Sequence, residues 1–494
     1  MVFNSYTFIV FFILMLSLYN LPIPWKSRKV ILLLGSYLFY AAWNPPFILL
    51  LWLSTLVDFF VGRALYTQEN KHKKKLLLVV SLIGNLGMLC FFKYGGFLLE
   101  NFVALSNSIG FHFHPAKPNI ILPAGISFYT FTTLCYTIDM YKKESKPVKS
   151  FLDFSLFVTF FPHLVAGPIV RPPQLVPQFE TPKKATQQQF LQGLFLLSLG
   201  LFMKVVLADS MLASPADTVF SSHQALHSLD AWMGLLAFSG QIFFDFAGYS
   251  TCAIGVAACL GFVLPENFKY PYAATGFSDF WRRWHITLSS WLRDYLYIPL
   301  GGNRKGVVRT YINLMITMLL GGLWHGANWT FVVWGALHGL YLCVEKLIQD
   351  FNKPKLQMAT AGSEHRIVQN GFSLPAGLQK MISSGFIKAL FVFFLVNVTW
   401  VFFRAPDFTS AWRLLVSLFT KVPGGAVVLT NFNILAVIVI ITGMLIFHWR
   451  MRNTSVVATI AKMPFWLLGL VWALLLGLLI LSQESSGSFI YFQF

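Results

Sequence analysis

A single histidine stands where two long apolar stretches of the chain meet, inside Gly321-Gly322-Leu323-Trp324-His325-Gly326-Ala327-Asn328. An ionisable side chain is costly to place in lipid, and such residues often mark functional sites. The neutral imidazole of His325 can act as a general base near neutral pH. A hydrogen-bonded packing histidine and a zinc ligand are the alternatives. No His, Cys and Asp cluster at metal-ligand spacing accompanies His325, which argues against zinc and leaves the other two roles open.

The stretch from Phe280 to Tyr295 combines aromatic and basic side chains, and reads Phe-Trp-Arg-Arg-Trp-His-Ile-Thr-Leu-Ser-Ser-Trp-Leu-Arg-Asp-Tyr. Spacings of three and four residues predict one helix whose aromatic face is shared by Trp281, Trp284, Leu288, Trp291 and Tyr295. Arg282, Arg283 and Arg293 lie away from that face. Two functions are open: anchoring to lipid headgroups at the membrane interface, or a cytoplasmic site for a phosphate-bearing donor, because guanidinium groups match phosphate oxygens.

Asp245 and Asp58 are acidic residues within apolar stretches. Intramembrane acids are usually paired and are often functional. For Asp245 a structural hydrogen bond to Tyr, Trp or Arg of another helix is the favoured interpretation, and Asp58 has the same ambiguity. The other notable histidines, His163, His338 and His448, are interpreted as structural or interfacial.

The composition of the chain indicates the surroundings of the helices that position these side chains. Of 494 residues, 56% are hydrophobic and 11% charged, against about 25% charged in a typical soluble domain. This composition predicts an integral membrane protein. The net charge of +18 does not indicate a nucleic-acid partner, because the basic residues form short runs between apolar stretches, as in cytoplasmic loops. The five cysteines form no CxxC pair and are interpreted as small packing residues.

The chain is predicted to be all-α and polytopic, a single membrane-embedded domain over 1–494 with about 11–12 transmembrane helices. Apolar stretches that approach the ~30 Å hydrocarbon core cover 5–21, 29–43, 46–62, 76–92, 120–138, 190–208, 230–262, 310–324, 328–348, 383–403, 433–449 and 463–482. The interrupted stretch 151–166 predicts a re-entrant or broken helix buried within protein. We divide the domain into N-terminal helices (about 1–110), a core (about 115–350), C-terminal helices (about 380–482) and a tail (483–494). No internal repeat is visible, which disfavours a transporter built from matched halves.

Loop charges predict the orientation in the membrane. Basic clusters follow the first, third and fifth spans, at Lys26–Lys29, Arg63–Lys75 and Lys142–Lys149. All three fall on one side, which the positive-inside rule makes cytoplasmic, so the N-terminus is expected outside. The first helix lacks the basic region and cleavage site of a signal peptide and is expected to be retained. The polar stretch 350–380 is expected to be a loop, and the tail beyond Ser482 is expected outside.

Several long motifs together resemble the membrane-bound O-acyltransferase family, and within it the bacterial branch typified by the alginate O-acetylation membrane protein. They are 122–129 (Leu-Pro-Ala-Gly-Ile-Ser-Phe-Tyr), 161–168 (Phe-Pro-His-Leu-Val-Ala-Gly-Pro), 280–285 (Phe-Trp-Arg-Arg-Trp-His), 297–304 (Tyr-Ile-Pro-Leu-Gly-Gly-Asn-Arg) and 322–328 (Gly-Leu-Trp-His-Gly-Ala-Asn). The resemblance covers nearly the whole chain. In one place it fails: related proteins commonly have Gly-Tyr-Ser-Asp where this chain has Gly248-Tyr249-Ser250-Thr251, so no role is carried over to that position.

The resemblance implies a funnel-shaped helical fold with a thin central partition that holds the family's invariant histidine. His325 matches that histidine, and His285 matches a second histidine of the family pattern. The donor, acetyl-CoA or an acyl-carrier thioester, would bind from the cytoplasm, and no permanently bound cofactor or metal is expected. The donor-binding candidates are Trp281, Arg282, Arg283, Asn303, Arg304, Trp324 and Asn328.

Relatives in this branch hand the acyl group to an extracytoplasmic acyltransferase or relay protein that modifies a polysaccharide, and they lie in the bacterial cytoplasmic membrane among lipids. The chain ends Phe489-Ile-Tyr-Phe-Gln-Phe494, which also resembles an aromatic-tyrosine tail of such systems. We therefore expect Tyr491 to act as a transient acyl carrier on the outer side. The alternatives are an acyltransferase with a protein or lipid acceptor, a non-catalytic transporter of an acylated intermediate, and a structural anchor for a polysaccharide synthase.

Overall fold

The described part of the chain is built from helices. A computed structural model describes residues 1–113, 115–116, 119–351, 384–421 and 423–482. Within these residues the β-structure consists of one isolated bridge, between Leu226 and Ala426. The predicted polar loop 350–380 lies outside the described residues except for its first two positions, and the tail 483–494 lies outside them entirely.

The helices follow one another along the whole described chain. In the N-terminal part they are α1 Tyr6–Tyr19, α2 Trp25–Ala41, α3 Ile48–Thr67, α4 Lys71–Leu89 and α5 Gly95–Ser108. The core contains α6 Ile126–Lys142, α7 Phe151–Thr159, α8 Pro172–Glu180, α9 Gln187–Leu201, α10 Ser214–Phe220, α11 Ser228–Cys259, α12 Phe277–Trp281, α13 Ile286–Leu292, α14 Val307–His325 and α15 Trp329–Phe351. The C-terminal part contains α16 Gly385–Arg404, α17 Phe408–Phe419, α18 Asn431–Met451, α19 Val456–Ile460 and α20 Phe465–Leu481. Segments of π-helix, Cys90–Tyr94, Phe202–Ala213 and Arg293–Tyr297, follow α4, α9 and α13.

The prediction of an all-α, multi-pass membrane protein is confirmed. Within the described ranges, eight helices are long and apolar enough to cross a membrane: Pro45–Thr67, Lys71–Ser108, Gln187–Phe220, Ser228–Cys259, Val307–His325, Trp329–Phe351, Gly385–Arg404 and Asn431–Met451. The other predicted stretches form the shorter helices α1, α2, α6 and α20, of 14 to 17 residues. At 1.5 Å per residue these reach about 21 to 26 Å, less than the hydrocarbon thickness.

The predicted broken helix at 151–166 is present. Helix α7 ends at Thr159, and the chain then turns through 161–166. His163 and both flanking segments are buried, so this non-helical backbone is enclosed by protein, as membrane depth requires.

The central pair of helices, α9 and α11, approach closely through small residues. A Cβ added to Gly193 would lie 2.7 Å from the carbonyl oxygen of Gly255, and one added to Gly200 would lie 2.6 Å from that of Gly248. Such contacts between backbones are typical of membrane helix packing. Cys252 and Cys259 pack against the same glycines, as expected of small packing residues.

Asp245 forms an ion pair, and its partner is a lysine rather than the Tyr, Trp or Arg that we expected. Lys204 Nζ lies 2.5 Å from Asp245 Oδ1 and 2.8 Å from Asp209 Oδ1. The lysine is supplied by the π-helical segment after α9, whose position beside α11 was not evident from sequence. Asp58 instead accepts hydrogen bonds from Ser81 Oγ (2.6 Å) and Asn85 Nδ2 (2.7 Å) inside the bundle.

Replacing Lys204 with methionine is expected to destabilise the protein by about 3–5 kcal/mol, because both buried carboxylates lose this cation. The loss should appear as a lower midpoint of thermal unfolding in detergent. Lys388→Met, which removes an exposed lysine from α16, is the matched control and should change stability by less than about 0.5 kcal/mol. Equal midpoints for the two variants would contradict a stabilising role for the ion pair.

Candidate active site

Helices α14 and α15 form the hairpin that carries His325, and glycines let their backbones approach. A Cβ on Gly322 would lie 2.3 Å from the carbonyl oxygen of Phe331 and 3.0 Å from Gly335 Cα. His325 is the last residue of α14. The glycine-rich sequence around it is therefore explained by close helix packing, and this packing holds the histidine at the end of a rigid helix.

Two cavities reach His325. A cavity of about 530 Å³ is lined by residues of α12 to α15 and the segments between them, and His325 is among these residues. A second, of about 50 Å³, is lined by Trp43, Lys93, residues 122–128, Val165, Trp324 and His325. Among the lining residues, His325 is the member common to both sets. The histidine therefore lies at the partition between the large cavity and the small cavity.

One face of α14 leads from the mouth of the large cavity to His325. Thr310, Leu314, Thr317, Gly321 and His325 all line that cavity. They recur at spacings of four, three, four and four residues, which places them on one side of a helix. At 1.5 Å per residue this side extends about 22 Å from Thr310 to His325. The large cavity is thus a long channel that ends at the histidine.

Aromatic rings surround His325. The imidazole lies 5.0 Å from the Trp324 ring, 5.0 Å from the Trp334 ring and 5.3 Å from the Phe403 ring, between centroids, each edge-to-face. Only 3% of His325 is exposed. The indole N–H groups of Trp324 and Trp334 are buried and have no hydrogen-bond partner among the described residues. They are available as donors to a group that enters either cavity.

The stretch 280–295 is not the single interfacial helix that its spacing predicted. Helix α12 ends at Trp281, and His285 adopts the left-handed conformation (φ 43°) before α13 begins. Trp284, Leu288 and Trp291 are therefore buried within the protein, where at most 8% of each is exposed. The expected aromatic face toward lipid is wrong, because the break turns these side chains inward.

His285 is held in one orientation by Asn267. Asn267 Oδ1 accepts a hydrogen bond from Thr287 N (3.2 Å) and is therefore an acceptor. His285 Nδ1 lies 3.1 Å from the same oxygen, so Nδ1 carries a proton and donates to it. Burial lowers the pKa of His285 to about 3, which keeps the ring neutral. Its Nε2 has no partner among the described residues. The imidazole contacts Trp324 at 5.9 Å between ring centroids but lines neither cavity.

The predicted donor-binding residues divide into two groups. Trp281, Arg282 and Asn303 line the large cavity, while Trp324 lines the small cavity. Arg282 is exposed and has no acidic partner within the described ranges. The structure brings these residues to the two cavities that meet at His325.

The other three predicted residues lie elsewhere. Arg283 pairs with Asp279 (2.8 Å) and donates to the carbonyl oxygen of Arg452 (3.0 Å). Asn328 accepts from Thr330 N at the start of α15, and Arg304 is exposed on a loop outside the cavity linings. Burial alone would raise the pKa of Asp279, but hydrogen bonds from Arg283 and Thr275 N and the nearby cations lower it. The hydrogen bonds of Arg283 and Asn328 therefore stabilise the local fold around α12 and the start of α15.

Lys93 is a site residue that we did not identify from sequence. It lies in the π-helical turn Cys90–Tyr94 and lines the small cavity beside His325. It is the sole lysine or arginine between residues 76 and 113. The available signal was a single basic residue directly after the apolar stretch 76–92, followed by further apolar sequence.

The other histidines have structural surroundings. His338 is buried, with Nε2 3.0 Å from Thr399 Oγ1 and the Trp334 ring packed edge-to-face against its own. His163 and His448 are buried among aromatic side chains. Tyr491, the expected acyl carrier, lies outside the described residues.

Comparison with known proteins agrees with this architecture. The model of the family described as "MBOAT, membrane-bound O-acyltransferase family" matches residues 140–378. A protein named probable alginate O-acetylase AlgI from Azotobacter vinelandii is 39% identical over 85% of this chain and 78% of its own length. The peptidoglycan O-acetyltransferase of Helicobacter pylori is 39% identical over 78% of this chain and 73% of its own length. The teichoic acid D-alanyltransferase of Bacillus subtilis is 28% identical over 49% of this chain and 63% of its own length.

An all-helical, multi-pass membrane protein with a buried histidine between two cavities is suited to an enzyme that joins two substrates at one residue. The chain belongs to the membrane-bound O-acyltransferase family and is a membrane O-acyltransferase.

Proposed function

We propose that this enzyme takes an acetyl group from a cytoplasmic thioester and delivers it across the membrane for O-acetylation of an extracytoplasmic polysaccharide. A partner protein on the outer side would complete the transfer to the polymer. The observation that carries the proposal is the position of His325, which lines both the large cavity and the small cavity. One base can therefore meet a donor from one cavity and an acceptor from the other.

The charge distribution supports a cytoplasmic mouth for the large cavity. Arg282, Arg293 and Lys346 line it, and the neighbouring basic Arg171 pairs with Asp294 (2.6 Å) at the same end of the bundle. The positive-inside rule makes this face cytoplasmic. The amino group of Met1 donates to the carbonyl oxygen of Phe39 (2.9 Å), on the same helix as Ala41 and just before Trp43, which lines the small cavity. This contact supports the proposal that the N-terminus and the small cavity share the outer side.

The donor is proposed to be acetyl-CoA, with an acyl-carrier thioester as the alternative. The large cavity has the volume of a small-molecule site, and its length of about 22 Å along α14 suits an extended thioester donor. The guanidinium of Arg282 suits a phosphate at its mouth. Acetyl is proposed because relatives over most of the chain are named as O-acetylases or O-acetyltransferases.

The reaction balances with His325 as the only proton carrier. The imidazole removes the proton from an acceptor hydroxyl in the small cavity, and the oxygen attacks the thioester carbonyl carbon. The tetrahedral oxyanion accepts hydrogen bonds from the indole N–H groups of Trp324 or Trp334, each such donor being worth ~3 kcal/mol in known enzymes. The carbon–sulfur bond then breaks, and the thiolate takes the proton from the imidazolium. The products are an ester and a free thiol.

Two further residues have proposed roles in this reaction. His285 acts through Trp324, whose ring it contacts, and so positions the site instead of transferring the proton. Tyr491, in the outer tail, is proposed as the first acceptor hydroxyl, which passes the acetyl group to the partner protein. The small cavity, about 50 Å³, suits the end of one side chain better than a sugar chain.

The test uses purified protein in detergent with radiolabelled acetyl-CoA. We expect covalent label on the wild-type chain and no label on His325→Ala or Tyr491→Phe. Label lost only in His325→Ala would keep the enzyme and move the acceptor to another hydroxyl. A wild type that neither binds nor hydrolyses acetyl-CoA would contradict the proposed donor.

A transporter of acylated intermediates is the main alternative outside enzymes, and it predicts function that survives His325→Ala. Within enzymes, an acceptor on a protein or lipid is the alternative, and the similarity to a D-alanyltransferase favours testing another acyl group. Covalent label from a D-alanyl carrier thioester, with none from acetyl-CoA, would show that the enzyme transfers this other acyl group.

A further inference from the structure

The ammonium group of Lys93 is placed at the end of the helix that carries His325. Its Nζ donates to the carbonyl oxygens of Trp324 (2.7 Å) and His325 (2.9 Å). Tyr94, the next residue, donates from its hydroxyl to the carbonyl oxygen of Leu323 (2.8 Å). A charged residue in an apolar span is expensive unless it is paired or serves a function. Here it pairs with backbone oxygens.

The carbonyl oxygens of Leu323, Trp324 and His325 belong to the last turn of α14. The last four carbonyls of a helix have no amide of their own helix to accept from. After His325 the chain leaves α14 in an extended conformation at Gly326 (φ −158°). Lys93 and Tyr94 therefore act as a C-terminal cap. Their hydrogen bonds connect residues 323–325, in the last turn of α14, to the N-terminal helices.

The charge of Lys93 has a second effect. The C-terminal end of a helix carries about half a negative charge, and this end lies at the partition between the cavities. The ammonium offsets that charge. It has three donors, and two are used by the carbonyls, so the third is available in the small cavity that Lys93 lines. The Trp324 ring lies 5.6 Å from Nζ and is held by the same cation.

We propose that Lys93 is a positioning residue for acyl transfer, which fixes the turn 323–325 and supplies positive charge to the acceptor-side cavity. The proposal rests on the proposed role of His325. It does not depend on which thioester is the donor, because Lys93 does not line the large cavity.

The first test compares Lys93→Met, Lys93→Gln and Lys93→Arg with Tyr94→Phe. Lys93→Met should lower kcat by at least about 100-fold with the donor KM changed less than about threefold, because the donor enters from the other side. Lys93→Gln keeps a donor without charge and should remain at least about tenfold slow, whereas Lys93→Arg should recover part of the rate. Tyr94→Phe removes a neutral bond from the same helix end and should cost less than about tenfold. A folded Lys93→Met or Lys93→Gln with more than half of the wild-type kcat would overturn the proposal.

The second test needs no donor and therefore separates this proposal from that of acetyl transfer. Hydrogen exchange followed by mass spectrometry should show faster exchange in the segment 320–328 of Lys93→Met than of wild type, since the last turn of α14 loses its cap. Lys93→Arg should show near-normal exchange. Unchanged exchange in Lys93→Met would overturn the positioning role even if the wild type uses a different donor.

Discussion

Replacing His325 with glutamine is expected to reduce acyl transfer by at least about 10³-fold while the protein stays folded. The amide can fill much of the space of the imidazole and can hydrogen-bond, but it cannot take up a proton at neutral pH. General-base catalysis contributes about 10²–10⁴-fold, and no other residue lines both cavities in the described part of the chain. The measurement is the initial rate of acyl transfer, with folding checked by size-exclusion chromatography in detergent.

The matched control is the same substitution at His338. That histidine is also buried, 4.7 Å from the ring of Trp334, and forms a hydrogen bond with Thr399 that glutamine can replace. It lines neither cavity. His338→Gln should therefore keep more than half of the wild-type rate. If the two variants lost activity equally, the proposal that His325 is the general base would be wrong. The activity would then depend on the packing of the aromatic cluster around both rings.

Adding one methyl group at Gly322 is expected to destabilise the protein by at least about 3 kcal/mol, near the upper end of the cost of overpacking. The new Cβ would lie 2.3 Å from the carbonyl oxygen of Phe331, and backbone cannot move aside as a flexible side chain can. Helices α14 and α15 would have to separate, and His325 would move with them. The measurement is the midpoint of thermal unfolding of Gly322→Ala in detergent, together with the yield of monodisperse protein.

Gly321 provides the control one position away. A Cβ there would lie 3.2 Å from the terminal methyl group Cδ1 of Leu292, which a side-chain rotation can relieve. Gly321→Ala should change the stability by less than about 1 kcal/mol. A Gly322→Ala variant as stable as Gly321→Ala would show that the helix pair is not closely packed at this point.

Much of the helical architecture could be predicted because a bilayer tolerates few alternatives. Each of the twelve predicted apolar stretches overlaps a helix, and the interrupted stretch at 151–166 forms the buried break that its prolines indicated. What sequence could not give was the exact bounds: α1 ends at Tyr19, two residues before the stretch 5–21 does, and α6 begins only at Ile126, six residues into the stretch 120–138. Apolar residues such as Leu21 and Ile121 lie beyond these helix ends, so hydropathy does not mark where a helix begins or stops.

The site was harder to predict, because its geometry depends on contacts between distant segments. The left-handed backbone of His285 has no local signal, since the glycine usual at such a position is absent. Arg282 and Arg283 are neighbours of the same type, and only the positions of Asp279 and Arg452 decide which one lines the cavity. Lys93 was detectable as a single basic residue directly after the apolar stretch 76–92. Its partners, the carbonyls at the end of α14, are more than 200 residues away.

The proposed positions of the two cavities on opposite sides of the membrane would also concentrate the membrane voltage at His325. In the proposed arrangement the large cavity opens to the cytoplasm and the small cavity to the outer side, so most of the potential drop would fall across the short path through the histidine. A proton that crosses from one cavity to the other there moves through nearly the whole potential, worth about 2.3 kcal/mol per 100 mV. An acetyl group is uncharged and crosses without this term. In the proposed reaction the imidazole takes its proton from an acceptor on the outer side and gives it to the thiolate on the cytoplasmic side, so each turnover would move one positive charge inward and draw on the membrane potential.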